Sequence, residues 1–147
     1  MRREEDGTVT VGIDDLGAHL LGRPDKLLLP PVGEHLAVHG EGWQAKRQGA
    51  WVRIMSPVDG VVVAHGGEED DWILRIRPDE GKSLAHLFEV AEARPWMLRD
   101  VERLHGLLAE TGTGTTLPDG GVPVDDFALA IPKKRYDTVC GLIFLEP

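Results

Sequence analysis

Cysteine is nearly absent from this chain: Cys140 stands alone among 147 residues. A lone thiol excludes an internal disulfide and any cysteine-rich metal or cluster site. It also suits a reducing compartment. Aromatic side chains are scarce at 5%, although four of the eight are tryptophan. Positive charge is short as well, with 16 Lys and Arg against 25 Asp and Glu and a net charge of −9. That balance argues against general binding to a phosphate backbone, which needs a basic footprint, and against an anionic membrane surface. No apolar run reaches the length of a membrane span. The first residues, Met1-Arg2-Arg3-Glu4-Glu5-Asp6, lack the apolar core of a secretion signal. The cytoplasm is therefore the expected compartment.

What the chain does have is glycine and proline, 28 residues together, with no collagen-like period. Such a content favours short strands and tight turns over a helix bundle. Residues 8–13, Thr-Val-Thr-Val-Gly-Ile, alternate like a half-buried strand. Asp14 or Asp15 can cap a short helix carrying Leu16, His19, Leu20 and Leu21, ended by Gly22 and Pro24. A second short strand, Lys26 to Leu29, stops at Pro30-Pro31.

A short repeat follows. Pro31-Val32-Gly33-Glu34-His35-Leu36-Ala37-Val38-His39-Gly40 matches Pro57-Val58-Asp59-Gly60-Val61-Val62-Val63-Ala64-His65-Gly66 at a constant offset of 26. Pro, Val, His and Gly recur in register. Two copies are too few for a solenoid. Two turn–strand units related by a pseudo-two-fold suit a small sandwich or flattened barrel with one shared core. Between the copies, Trp43 to Met55 reads as a hairpin turning near Gln48-Gly49, with Trp51, Arg53 and Met55 on one face and Val52 and Ile54 on the other. Trp72 to Ile76 reads as a further strand. Ser83 is expected to cap a helix through Leu84, Leu87, Phe88 and Ala91, and Pro95 to open another with Leu98, Val101, Leu104, Leu107 and Leu108 on one stripe. Residues 111–121 read as a Gly-rich connector. The rest reads as two short helices around Phe127–Ile131 and Leu142–Leu145.

Strand, short helix, strand, then two matched halves around a hairpin: this layout resembles the H protein of the glycine cleavage system, and more broadly the lipoyl/biotinyl carrier fold. The resemblance covers about residues 8–98. It rests on Val9 to Asp15, Leu21-Gly22, Leu29-Pro30-Pro31-Val32-Gly33, Ser56 to Val62, and Trp72 to Ile76. It implies a mainly β, lipoyl-domain-like barrel-sandwich hybrid with flanking helices and a C-terminal helical extension. The expected division is 1–98 for the β domain and 99–147 for the extension.

In that family the hairpin tip carries a lysine amidated with lipoic acid, seven residues before the Ser of Ser-Pro-Val. Counting back from Ser56 reaches Gly49, and counting forward from Gly33 reaches the same place. Glycine has no side chain to acylate. Where the family places a Glu and an Asp around the lysine, this chain has Lys46 and Arg53, and Arg47 adds a third cation.

The resemblance therefore implies a non-lipoylated H-protein-like module, not an enzyme, without cofactor, docking on an unidentified protein partner. Trp43, Lys46, Arg47, Trp51 and Arg53 form the candidate docking hairpin. Trp and Arg are the residue types that dominate interface energetics. Strand alternation puts one of the two tryptophans in the core. The alternative is a genuine lipoyl carrier modified at a relocated lysine such as Lys46. Against it, Lys46 lies three residues down a strand from the turn. His35, His39 and His65 offer no clear further ligand for a metal and read as hydrogen-bonded turn residues, even with His39 and His65 facing each other across a pseudo-axis. Thr111-Gly112-Thr113-Gly114 follows a helix where a phosphate loop would follow a strand. No nucleophile–base or paired-carboxylate arrangement is defined by spacing.

Overall fold

Two antiparallel sheets enclose the core in a computed structural model of the chain. The structure describes residues 1–110 apart from 48, 68, 69, 83, 85, 86, 88 and 89. The expected connector 111–121, the strings Phe127–Ile131 and Leu142–Leu145, Cys140 and the Ser83 cap lie outside the described residues.

The first sheet has the order β1-β2-β8-β7-β4, from Arg2–Arg3, Val9–Val11, Leu74–Pro78, Gly60–His65 and His35–Leu36. The second has the order β3-β5-β6, from Lys26–Leu28, Glu41–Arg47 and Ala50–Met55. Inward-facing Trp43, Ala45, Val52 and Ile54 of the second sheet join Val9, Val11, Val62, Leu74 and Ile76 of the first. The short helix α1, Asp15–Leu21, adds Leu20 and Leu21. Its cap is as expected: the Asp14 carboxylate accepts from the Gly17 N–H at 2.7 Å, and Gly22 ends it at φ 63°. Asp14→Ala should cost about 1 kcal/mol, read as a lower urea midpoint. The architecture is thus mainly β with flanking helices, two antiparallel sheets packed on one shared core.

The repeat is realised as a pairing of its two copies. Strands β4 and β7 run antiparallel with His35 opposite Val61 and Leu36 opposite Gly60. His35 and Val61 are themselves repeat-equivalent, so the local two-fold passes through that pair. Repeat-equivalent residues meet at the two ends through different atoms, one a backbone N–H and one a ring nitrogen. The His39 N–H donates to the Ser56 carbonyl at 2.9 Å, while His65 Nε2 lies 2.7 Å from the carbonyl oxygen of Pro30. Antiparallel pairing sends His39 and His65 to opposite ends, which corrects the expectation that they face each other. His39 occupies a turn at φ 59°.

Strand β2 departs from the half-buried reading. Thr8 and Thr10 are as buried as Val9 and Val11. The N-terminal residues, which carry no strand signal, double back as β1 and pair Arg2 with Thr10. Residues between β1 and β2 supply the partners: Thr10 donates to Glu4 at 2.9 Å and Thr8 to Asp6 at 2.6 Å. These hydrogen bonds hold the Glu4 and Asp6 carboxyls below the ordinary carboxylate range. Asp59 is lowered too, first by the Val38 N–H that it accepts at 3.0 Å. A carboxyl whose folded pKa is depressed contributes stability above its unfolded value, near about 4, and loses it as pH falls through the folded value. The urea midpoint should therefore drop below about pH 4. Asp59→Asn, which still accepts from Val38, should flatten that drop.

Two further expectations need correction. The strand read at Trp72–Ile76 is shifted to Leu74–Pro78; Ile73, a bend residue just before it, still donates its N–H to Val11 at 2.7 Å and accepts from Gly66 at 2.9 Å. Pro95 does not open a new helix. It lies inside α2, Val90–Glu110, where it forfeits one main-chain hydrogen bond. Leu98 is 62% exposed, so the expected stripe is not buried there. Leu84 and Leu87, by contrast, pack on the core.

Candidate functional site

The β5–β6 hairpin is where sequence reasoning concentrates its candidates. Arg47 pairs with Ala50, so the hairpin turns between them, at Gly49. Gly49 takes φ 87°, a left-handed backbone that glycine tolerates best. It is exposed, and a Cβ built on it would meet nothing within 4 Å. The tip therefore projects freely, and it carries no side-chain amine.

The strand register sorts the docking candidates into two faces. Lys26 stands opposite Lys46, which stands opposite Trp51. One step along, Leu28, Gln44 and Arg53 form the next row. Successive side chains alternate across a sheet, so these two rows share the outer face. Trp51 is 41% and Leu28 49% exposed. Lys46 holds its ammonium 5.6 Å from the Trp51 ring centroid, within cation–π range.

Trp43 and Arg47 point the other way. Trp43 is 2% exposed and belongs to the core, so it is withdrawn from the docking set. Arg47 is half-buried, and its guanidinium donates to the Arg23 carbonyl, tying the approach to β3 onto the hairpin. Lys26 and Leu28 were missed by sequence reasoning. They lie about twenty residues upstream, and only the β3–β5 pairing brings them to the face.

The histidines do not converge. His35 Nε2 lies 2.8 Å from Asp79 Oδ2, and no group of three His, Cys, Asp or Glu suited to a metal occurs among the described residues. An open cleft of about 510 Å³ lies between Arg2, Thr10, Asp14, Pro57, Asp71 and Trp72, with Ile54 at the far end of β6 from the hairpin tip also lining it. Its hydroxyl, Thr10, is buried and already donates to Glu4. No described helix is long and apolar enough to cross a membrane.

No family model matches the chain. Relatives do. The chain is 34% identical over 105 residues to the glycine cleavage system H protein of Psychrobacter sp. (strain PRwf-1), covering 63% of this chain and 83% of that protein. The chain belongs to the glycine cleavage system H protein family. Similar matches are the H proteins of Psychrobacter cryohalolentis, 36% identical over 92 residues (54% of this chain, 73% of that one), and Saccharophagus degradans, 32% identical over 92 residues (54% and 71%). Among solved structures, a glycine cleavage system H protein from Mycobacterium marinum superposes with a TM-score of 0.45 at 20% identity, over 53% of this chain and 71% of that one. H proteins are lipoyl carriers, not catalytic enzymes.

Proposed function

We propose that this chain is an H-protein-like module that carries no lipoyl arm and acts by docking on a protein partner through the outer face of its hairpin. The observation that carries the reading is Gly49 at the tip, where the family pattern calls for the lipoyl lysine. A swinging arm needs an amine to form its amide, and the backbone offers none. The cytoplasm is the compartment we assign to it, and glycine cleavage proteins are the class of partner that its family suggests.

Lys46 is the amine nearest the tip in sequence. It sits in the middle strand of a three-stranded sheet, half-buried, with its ammonium over Trp51. A ligase reads a lysine presented at a turn, and this one lies on a strand, three residues before Gly49. The test is incubation of the purified chain with a lipoyl ligase, ATP and lipoate, beside a lysine-tipped H protein as positive control. The unmodified intact mass is expected. A lipoyl increment that disappears in Lys46→Arg would establish the carrier reading instead.

A further inference from the structure

The outer face of β3-β5-β6 combines three cations with two exposed apolar side chains, in a molecule of the opposite overall sign. Lys26, Lys46 and Trp51 occupy one row, and Leu28, Gln44 and Arg53 the next. The chain as a whole carries −9. Apart from these three cations the chain nets −12, so the patch is opposite in sign to the molecule as a whole.

Resting on the docking reading above, we infer that this face takes a short acidic segment of another protein, one that presents carboxylates on either side of an apolar side chain. Three features set that chemistry. The first is sign: Lys26, Lys46 and Arg53 lie on one face, and Glu41, the one carboxylate within the three strands, already accepts from Gln44 at 2.6 Å. The second is the apolar centre. Trp51 and Leu28 sit at diagonal corners of the two rows and are each exposed by two-fifths or more. A purely ionic partner would leave them in water. An apolar side chain laid between them would bury both.

The third feature is size. Neighbouring strands lie about 4.8 Å apart, so the three strands span roughly 10 Å. A residue two places on along a strand lies about 7 Å away. Two or three carboxylates of an extended segment fit that rectangle. Duplex DNA carries a charge every ~1.7 Å along its axis. It would overrun the patch and lay its remaining phosphates against a chain of net negative charge. With a Debye length of about 8 Å at physiological salt, a compact acidic segment feels the patch, while the acidic remainder is largely screened.

Lys46 is pre-positioned for this role. Its ammonium lies over the Trp51 ring and keeps all its N–H donors for a carboxylate while its stem covers the strand. Arg53 and Lys26 are exposed and reach the same partner from the flanking strands.

The test is a selection of random phage-displayed dodecapeptides on the full-length chain, with the binding of enriched peptides then measured by titration. Enriched sequences should hold two or more Asp or Glu around a Leu, Phe or similar residue. Their affinity should fall at least about tenfold in the Lys26→Glu, Lys46→Glu, Arg53→Glu variant and should weaken with salt. Exposed Arg53→Glu alone, checked for an unchanged urea midpoint, should give part of that loss, and Trp51→Ser should lower affinity without altering charge. Failure to enrich acidic sequences, or equal binding to the reversed variant, would overturn the inference. So would a 20-base-pair duplex, phosphatidylserine vesicles or a second copy of the chain engaging these same cations more tightly than the peptides. Neutral peptides captured by this face would refute the acidic preference but leave the docking reading intact. Capture indifferent to every change on the face would refute both.

Discussion

Gly60→Ala should leave the chain unable to hold its first sheet, with little folded protein recovered and a loss of at least about 3 kcal/mol in whatever folds. Gly60 opens β7 between two neighbours, Leu36 of β4 and Pro78 of β8. A Cβ at this position would fall 2.3 Å from the Arg77 carbonyl oxygen and 2.9 Å from both the Arg77 carbonyl carbon and Ile76 Cγ2. Two of those three atoms are backbone, so no rotamer change relieves the clash. Either the β7–β8 ladder opens or Ile76, which has no exposed surface, is pushed out of the core. The requirement is one of space. Gly106 is the matched control: it lies in α2 with nothing near its Cβ, and Gly106→Ala should leave stability unchanged or raise it by up to about 1 kcal/mol. Urea denaturation of the two variants beside the parent separates the cases.

The two tryptophans of the hairpin differ sharply in burial. Trp43→Ala should destabilise by about 3–5 kcal/mol, the usual cost of emptying a buried aromatic site. Trp43 lies on the inner face of β5 at 2% exposure, packed in the cluster that joins the two sheets. Trp51→Ala, four residues past the turn-side end of β5, should cost at most about 1 kcal/mol, since its ring is 41% exposed and its defined partner is Lys46. The functional effects should run the other way. Trp51→Ala should weaken partner binding at full stability, whereas any binding loss in Trp43→Ala should follow the fraction unfolded. Urea midpoints measured beside peptide titrations give both readouts. A Trp43→Ala protein of parental stability would contradict the core placement.

The parts of the fold legible in the sequence are those in which local signals agree. Asp14 and Gly22 bracket α1 because a cap carboxylate and a left-handed glycine act within one turn of chain. The Trp51-Val52-Arg53-Ile54-Met55 alternation reads directly onto an outer and an inner face. The 26-residue repeat carries real information as well, since its two copies pair through His35 and Val61. What could not be read depended on distant chain. Nothing in Arg2-Arg3 suggests a strand; the backbone of β2 makes it one. Thr8 and Thr10 look solvent-facing until Glu4 and Asp6 are known to cover them. Pro95 reads as a helix start because proline is best tolerated there, yet the helix extends through it.

The same division holds for the candidate site. Gly49 at the turn, Lys46 and Arg53 flanking it and one buried tryptophan follow from alternation alone. Arg47 does not, since its engagement by the Arg23 carbonyl joins the hairpin to the segment before β3. Lys26 and Leu28 join the face through pairing that no local pattern encodes.

Peptide mapping of the chain isolated from its native cells addresses the central claim most directly. Every lysine, Lys26, Lys46, Lys82, Lys133 and Lys134, can be followed by mass spectrometry alongside any lipoylated protein of the same extract. All five are expected to be free of lipoate while that companion protein is fully modified. A dithiolane adduct on any of them, with Lys46 the most telling, would contradict the account and return the chain to the carriers.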